Sequence, residues 1–170
     1  MHEPLLITRS TTFLKRWLTL TLAVCALGAQ AQNPVDDPDW KETEVPTPPV
    51  FSTSRLLAIE MPPYVTLTFG VDPATIAITP DGIVRYVVVT SNTAGSTNAM
   101  YEGVRCSTAE VKTYARASSG GVWSQVKEPQ WRNLYDNLPS KHALALARQG
   151  VCSGAAASNS VADIIKNLKH

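Results

Sequence analysis

Residues 83–90 read Ile-Val-Arg-Tyr-Val-Val-Val-Thr and are apolar at both parities apart from Arg85. β-Branched side chains suit a pleated surface better than a helix. A strand that is apolar on both faces needs cover on both, so this run predicts the central strand of a sheet. Just before it stands Pro80-Asp81-Gly82, a turn signal between β-rich runs that predicts a hairpin.

Other strands fall on either side. Residues 56–59 are apolar, and after Pro62-Pro63 residues 64–69 alternate, with Val65, Leu67 and Phe69 on one face and Tyr64, Thr66 and Thr68 on the other. Residues 74–79 make another short strand. Residues 92–97 are small or polar and read as a loop, followed by strands at 98–106, 110–117 and 122–126, the last two joined by a turn at Ser118-Ser119-Gly120-Gly121. Consecutive strands with short connections predict an antiparallel meander.

After Pro129 the period changes. Trp131, Leu134, Tyr135 and Leu138 stand at helical spacing, which predicts a short helix ending at Pro139. A second helix spans 140–148, with Leu144, Ala147 and Val151 on one stripe and Gly150 suited to its end. A third spans 160–169, carrying Val161, Ile164, Ile165 and Leu168 on one face and Lys166 and Lys169 at its C-terminal end. Residues 153–158 between them are small and read as flexible. The fold class is therefore α+β, an antiparallel β-meander with short C-terminal helices in a single domain over residues 55–170.

Residues 1–31 have the three-part build of a secretory signal peptide. Arg9, Lys15 and Arg16 come first, then the apolar run 17–28, then Ala29-Gln30-Ala31, which predicts cleavage after Ala31. The run is 12 residues long, and spanning a bilayer takes about 20. Val24 is too bulky to precede a lipidated cysteine, so Cys25 reads as an apolar filler of the signal. The protein is thus expected in the periplasm or secreted, with no stable membrane span after cleavage.

Removing residues 1–31 takes Arg9, Lys15, Arg16 and Glu3 from the chain's 15 basic and 14 acidic residues, leaving 12 and 13 and a net charge of −1. That balance lacks the basic footprint of a nucleic-acid or membrane-surface binder. Residues 32–54 are acidic and carry Pro34, Pro38, Pro46, Pro48 and Pro49, which predicts an extended strap or linker. Trp40 within it is expected to dock into a groove of the domain.

Cys106 and Cys152 remain after cleavage, an even pair that predicts a disulfide in an oxidising compartment. Closing a loop of about 47 residues stabilises by about 4 kcal/mol in the chain-entropy account. Two cysteines with His142 and His170 lack metal-ligand spacing, so no metal site and no cofactor are expected.

The period of two in residues 98–106 puts Tyr101, Gly103 and Arg105 on one face and Met100, Glu102, Val104 and Cys106 on the other. Glu102 then shares a face with apolar neighbours, and a buried carboxylate must be paired or protonated. The simplest expectation is a structural ion pair with Arg85 or Arg105. The alternative is a carboxylate of raised pKa acting as acid or base, which lacks a visible second group because His142 lies far along the chain. Tyr101, Arg105, Tyr114, Arg116 and Trp123 are candidates for an aromatic and basic binding surface. Equally, Tyr114 and Trp123 could pack as core under the C-terminal helices. No Gly-x-Ser-x-Gly and no phosphate-cradling glycine loop occurs.

The string Tyr-Glu-Gly-Val-Arg-Cys at 101–106, with Asp81-Gly82-Ile83-Val84-Arg85-Tyr86 before it and Tyr114-Ala115, Trp123 and Trp131-Arg132 after it, resembles the neisserial cryptic-protein-like family. The likeness runs from Asp39-Trp40-Lys41-Glu42 to Cys152. It implies export to the envelope, with no established activity and no catalytic residues to carry over. The expectation is a non-enzymatic binding or accessory module of the envelope, with a protein or glycan partner and no nucleic acid. The rival is a periplasmic hydrolase using Glu102.

Overall fold

In the computed structural model, which describes residues 39–119 and 121–169, Ile83–Ser91 forms strand β4 inside an eight-stranded antiparallel sheet. The residues read above as an export signal lie outside the described part. β4 is flanked by β2 (Thr68–Val71) and β5 (Thr97–Arg105); β1 (Leu57–Ile59) lies beyond β2, and β6 (Glu110–Ser118) and β7 (Trp123–Gln125) lie beyond β5. β3 (Ala77–Ile78) pairs with the start of β4, and β8 (Arg132–Asn133) with the start of β6. Gly82 closes the β3–β4 turn at φ +78°, donating its N–H to the Thr79 carbonyl. Helix α1 (His142–Leu146), a wide turn at Ala147–Val151, a small hairpin of β9 (Cys152–Ser153) and β10 (Ala156–Ala157), and helix α2 (Val161–Asn167) complete the chain. The architecture is α+β.

Both faces of β4 are covered, by different parts of the chain. Val84, Tyr86 and Val88 pack with Phe69, Val71 and Val104 under Leu146, Val151 and Ile164 of the C-terminal segment. Val87 and Val89 pack on the opposite face with Tyr101, Tyr114 and Ala115, under Val45 and Phe51 of the proline-rich segment. Each buried valine contributes about 1.5–3 kcal/mol relative to exposure, so neither cover is dispensable.

Trp40 anchors that second cover. Its Nε1 donates to the Asp81 carbonyl at 2.8 Å, its ring meets Trp131 edge-on at 6.2 Å, and the Arg105 guanidinium lies 3.7 Å above it. The Asp81 carboxylate accepts from the Thr43 N–H and hydroxyl, so the β3–β4 turn holds the segment twice.

Four local expectations differ from the structure, the first being the strand read at 74–79: only Ala77–Ile78 pair, because Pro73–Thr75 wind into a tight helical turn capped by the Asp72 side chain. Residues 64–67 are not a strand: the last β2–β4 pair is Thr68 with Ser91, so earlier residues have no neighbour to bond. The Val65 N–H instead closes a turn onto the Pro62 carbonyl, and Tyr64 and Leu67 are exposed. Residues 131–138 are not helical, because Arg132–Asn133 pair with β6, the Leu134 N–H donates to Ala109, and the Asn133 side chain accepts from the Tyr135 N–H. Sheet bonds have taken the donors a helix would use. Residues 153–158 form the β9–β10 hairpin rather than a flexible link, turned by Gly154 at φ +63°.

Candidate functional site

The site grows from one irregularity in the sheet. Along β5 and β6, Tyr101 faces Ala115 but Glu102 faces Thr113, so Tyr114 is an extra residue, a β-bulge. Bulged residues break the alternation of faces. Tyr114 therefore turns toward Tyr101, with the rings 5.5 Å apart, while Thr113 and Arg116 share the face of Glu102 and Met100.

On that face Glu102 lies between Tyr86 of β4 and Thr113 of β6. Its Oε2 lies 2.7 Å from His142 Nε2, its Oε1 accepts from the Thr113 hydroxyl at 2.9 Å, and the Tyr86 hydroxyl donates to Oε2 at 3.4 Å. Glu102 is 3 % exposed and His142 6 %. Burial disfavours the Glu102 anion, but the charge and hydrogen bond of His142, the Thr113 hydroxyl and Arg116 outweigh it and hold the carboxyl below its ordinary pKa. Burial, together with this carboxylate, pushes the Tyr86 phenol well above its usual value.

His142 opens α1, and its ring is fixed from two further sides. Phe69 stacks on it with ring centroids 5.0 Å apart and planes within 5°. The Ser140 Oγ lies 2.5 Å from Nδ1. Ser140, His142 and Glu102 thus form a continuous chain of side chains. It lies along a cleft of about 320 Å³, lined by apolar Met100, Val111 and Leu138 and by polar Arg116, Gln130 and Arg132. Among the described residues no group of three or more His, Cys, Asp or Glu could hold a metal ion.

Neither arginine expected to pair with Glu102 does so, because both lie on the opposite face. Arg85, 1 % exposed, binds Asp81 at 3.0 Å and lies 3.5 Å from Glu42. Arg105 stacks on Trp40. The expected aromatic and basic surface is not assembled either. Tyr101 and Tyr114 are buried, Trp123 packs edge-on against Phe51 at 5.7 Å, and Arg116 is on the other side of the sheet. Nor do Tyr114 and Trp123 lie under the C-terminal helices; they lie under the proline-rich segment, where the Tyr114 hydroxyl donates to Glu42 at 2.6 Å. Lys112 binds the second Glu42 oxygen at 2.6 Å. Burial there raises the Tyr114 phenol, an effect the Glu42 carboxylate reinforces. Burial opposes ionisation of Asp81, but Arg85, Thr79 and Thr43 overcome it and lower its pKa.

Sequence reasoning passed over Ser140 and set His142 aside because it stands 40 residues from Glu102. The signal was present in part: a buried carboxylate needs donors, and His142 starts an amphipathic stretch that must land on the same face as Val104 and Cys106.

The Cys106–Cys152 disulfide ties the end of β5 to β9 with a Cα separation of 5.7 Å, beside this packing. No described helix is long and apolar enough to cross a membrane. No curated protein and no solved structure is significantly similar to the chain. The model of the CNP1-like family matches residues 35–169, which include both covers of the sheet and the whole cleft. The chain belongs to the CNP1-like family.

Proposed function

We propose that this protein is exported to the periplasm and binds an envelope component, protein or glycan, in the cleft above Glu102 and His142. The build of residues 1–31 supports export, and a disulfide suits an oxidising compartment. The observation that carries the binding reading is the cleft itself. Apolar Met100, Val111 and Leu138 meet Arg116, Gln130 and Arg132 over a floor whose polar groups are bonded. Concave, partly apolar sites with a few directed polar groups are where ligands bind.

A hydrolase using Glu102 as its acid or base is the weaker reading. A carboxylate held anionic by hydrogen bonds from His142, Thr113 and Tyr86 has no proton to give as an acid. The test is capture of envelope and cell-wall fractions by the immobilised protein, compared with the double variant Arg116→Glu/Arg132→Glu. Both arginines are exposed, and a thermal melt of the variant checks that its fold is retained. Binding by the native chain and loss in the variant is expected. Equal retention by both, or by neither, would overturn the reading.

A further inference from the structure

We propose that Ser140 is an activated nucleophile that accepts an acyl group from a carboxylic ester bound in the cleft. His142 serves as its base and Glu102 as the residue that orients His142. This goes beyond ligand binding and assigns a reactive centre to the same cleft.

The argument starts from the tautomer. Glu102 accepts from Tyr86 at Oε2 and from Thr113 at Oε1, so its carboxyl acts as an acceptor and the His142 nitrogen facing it, Nε2, carries a hydrogen. In the neutral ring Nδ1 is then a bare lone pair, and the group facing that lone pair is the Ser140 hydroxyl at 2.5 Å. Nucleophile, base and orienting carboxylate within hydrogen-bond reach are the geometric requirement for an activated serine, recognised by roles rather than by chain order. Either ring nitrogen can fill the role of base.

The Ser140 hydroxyl does not cap the helix it precedes. Lys141, not Ser140, occupies the cap position of α1, and no side chain caps that end. The imidazole is pre-set, stacked on Phe69 and buried, so little reorganisation precedes proton transfer. Ser140 is only half-buried and lines the cleft, where a substrate can reach it. Met100, Val111 and Leu138 offer an apolar wall to a short acyl chain, and Arg116, Arg132 and Glu128 line the same cleft.

The chemistry balances without a co-reactant other than water. Ser140 Oγ bonds to the ester carbonyl carbon and its proton passes to His142 Nδ1. The carbon–oxygen bond to the alcohol breaks, and the leaving oxygen takes that proton. Water then attacks the acyl carbon, gives a proton to Nδ1, and the serine recovers it as the carboxylic acid departs.

An alkyl fluorophosphonate tests this on the full protein, since Ser140 Oγ–P forms as P–F breaks, with the serine proton passing to His142. Labelling should exceed that of the urea-unfolded protein at least tenfold, with the mass added to the peptide containing Ser140. It should vanish in Ser140→Ala and fall at least tenfold in His142→Asn. Glu102→Gln should slow it similarly, and Glu102→Asp, which keeps the charge, should recover part of the rate. Nitrophenyl acetate should be turned over with the same dependence. Labelling no faster than in the unfolded chain, or label that persists in Ser140→Ala, would overturn the proposal. Ser140→Ala changes a half-exposed side chain, so its folding keeps the test valid even where His142→Asn unfolds. The probe needs no envelope ligand, so failure here and failure of envelope capture are separate results.

Discussion

Glu102→Gln removes a charge from the floor of the cleft while keeping the shape of the side chain. The carboxylate accepts from His142 at 2.7 Å, Thr113 at 2.9 Å and Tyr86 at 3.4 Å. A glutamine keeps one oxygen for His142, and its amide nitrogen can donate to the Thr113 hydroxyl, which turns to accept. What is lost is charge assistance: about 1.5–3 kcal/mol for a hydrogen bond to a charged group against about 0.5–1.5 for a neutral one. The expected destabilisation is therefore about 1–2 kcal/mol at pH 7, or about 4 °C per kcal/mol in a domain of this size. Glu102→Ala, which leaves the buried donors of His142 and Tyr86 and the half-buried Thr113 hydroxyl unmatched, should cost about 3–5 kcal/mol. The pH dependence has a definite sign. Folding lowers the pKa of Glu102, so its contribution is complete above the unfolded value of about 4.3 and disappears as pH falls through the folded value. Urea unfolding of both proteins at neutral and acid pH reads the difference. The gap in midpoint should narrow toward acid with unchanged slopes. Equal midpoints at pH 7, or a gap that widens toward acid, would refute the reasoning.

Other parts of the fold give equally direct expectations. Reducing Cys106–Cys152, which spans 46 residues, should cost about 4 kcal/mol, seen as a fall in thermal midpoint with reductant. Trp40→Ala removes the bond to Asp81 and the ring beneath Arg105, so hydrogen exchange at the Thr43 amide should accelerate about 5- to 30-fold, equivalent to about 1–2 kcal/mol. Unchanged exchange would show that the proline-rich segment is held elsewhere. A methyl on Gly103 would stand 2.7 Å from Ile83 Cγ2 and from the Tyr114 hydroxyl, so Gly103→Ala should cost about 1–3 kcal/mol in a thermal melt.

How much of this was legible in the residues depends on the range of the interaction that decides it. β4 was legible because its apolar run at both parities demands two covers, whatever supplies them. The face of Glu102 was legible too, since period two holds along a regular strand. The grouping of Tyr114 with Arg116 failed because the bulge breaks that period, and nothing in Glu-Val-Lys-Thr-Tyr-Ala-Arg marks a bulge. Residues 131–138 show helical spacing, but their backbone donors found β6 and Ala109 first, a long-range event. The pairing of Glu102 with His142 crosses 40 residues, and its discovery required knowing where α1 lands.

The most direct test of the binding account is native mass spectrometry of the protein released from the periplasm without reducing agent. The account predicts a mass that starts at Gln32, two hydrogens light for Cys106–Cys152, with a bound adduct that Arg116→Glu/Arg132→Glu abolishes. An uncleaved or lipid-bearing mass, or an adduct indifferent to both arginines, would contradict it.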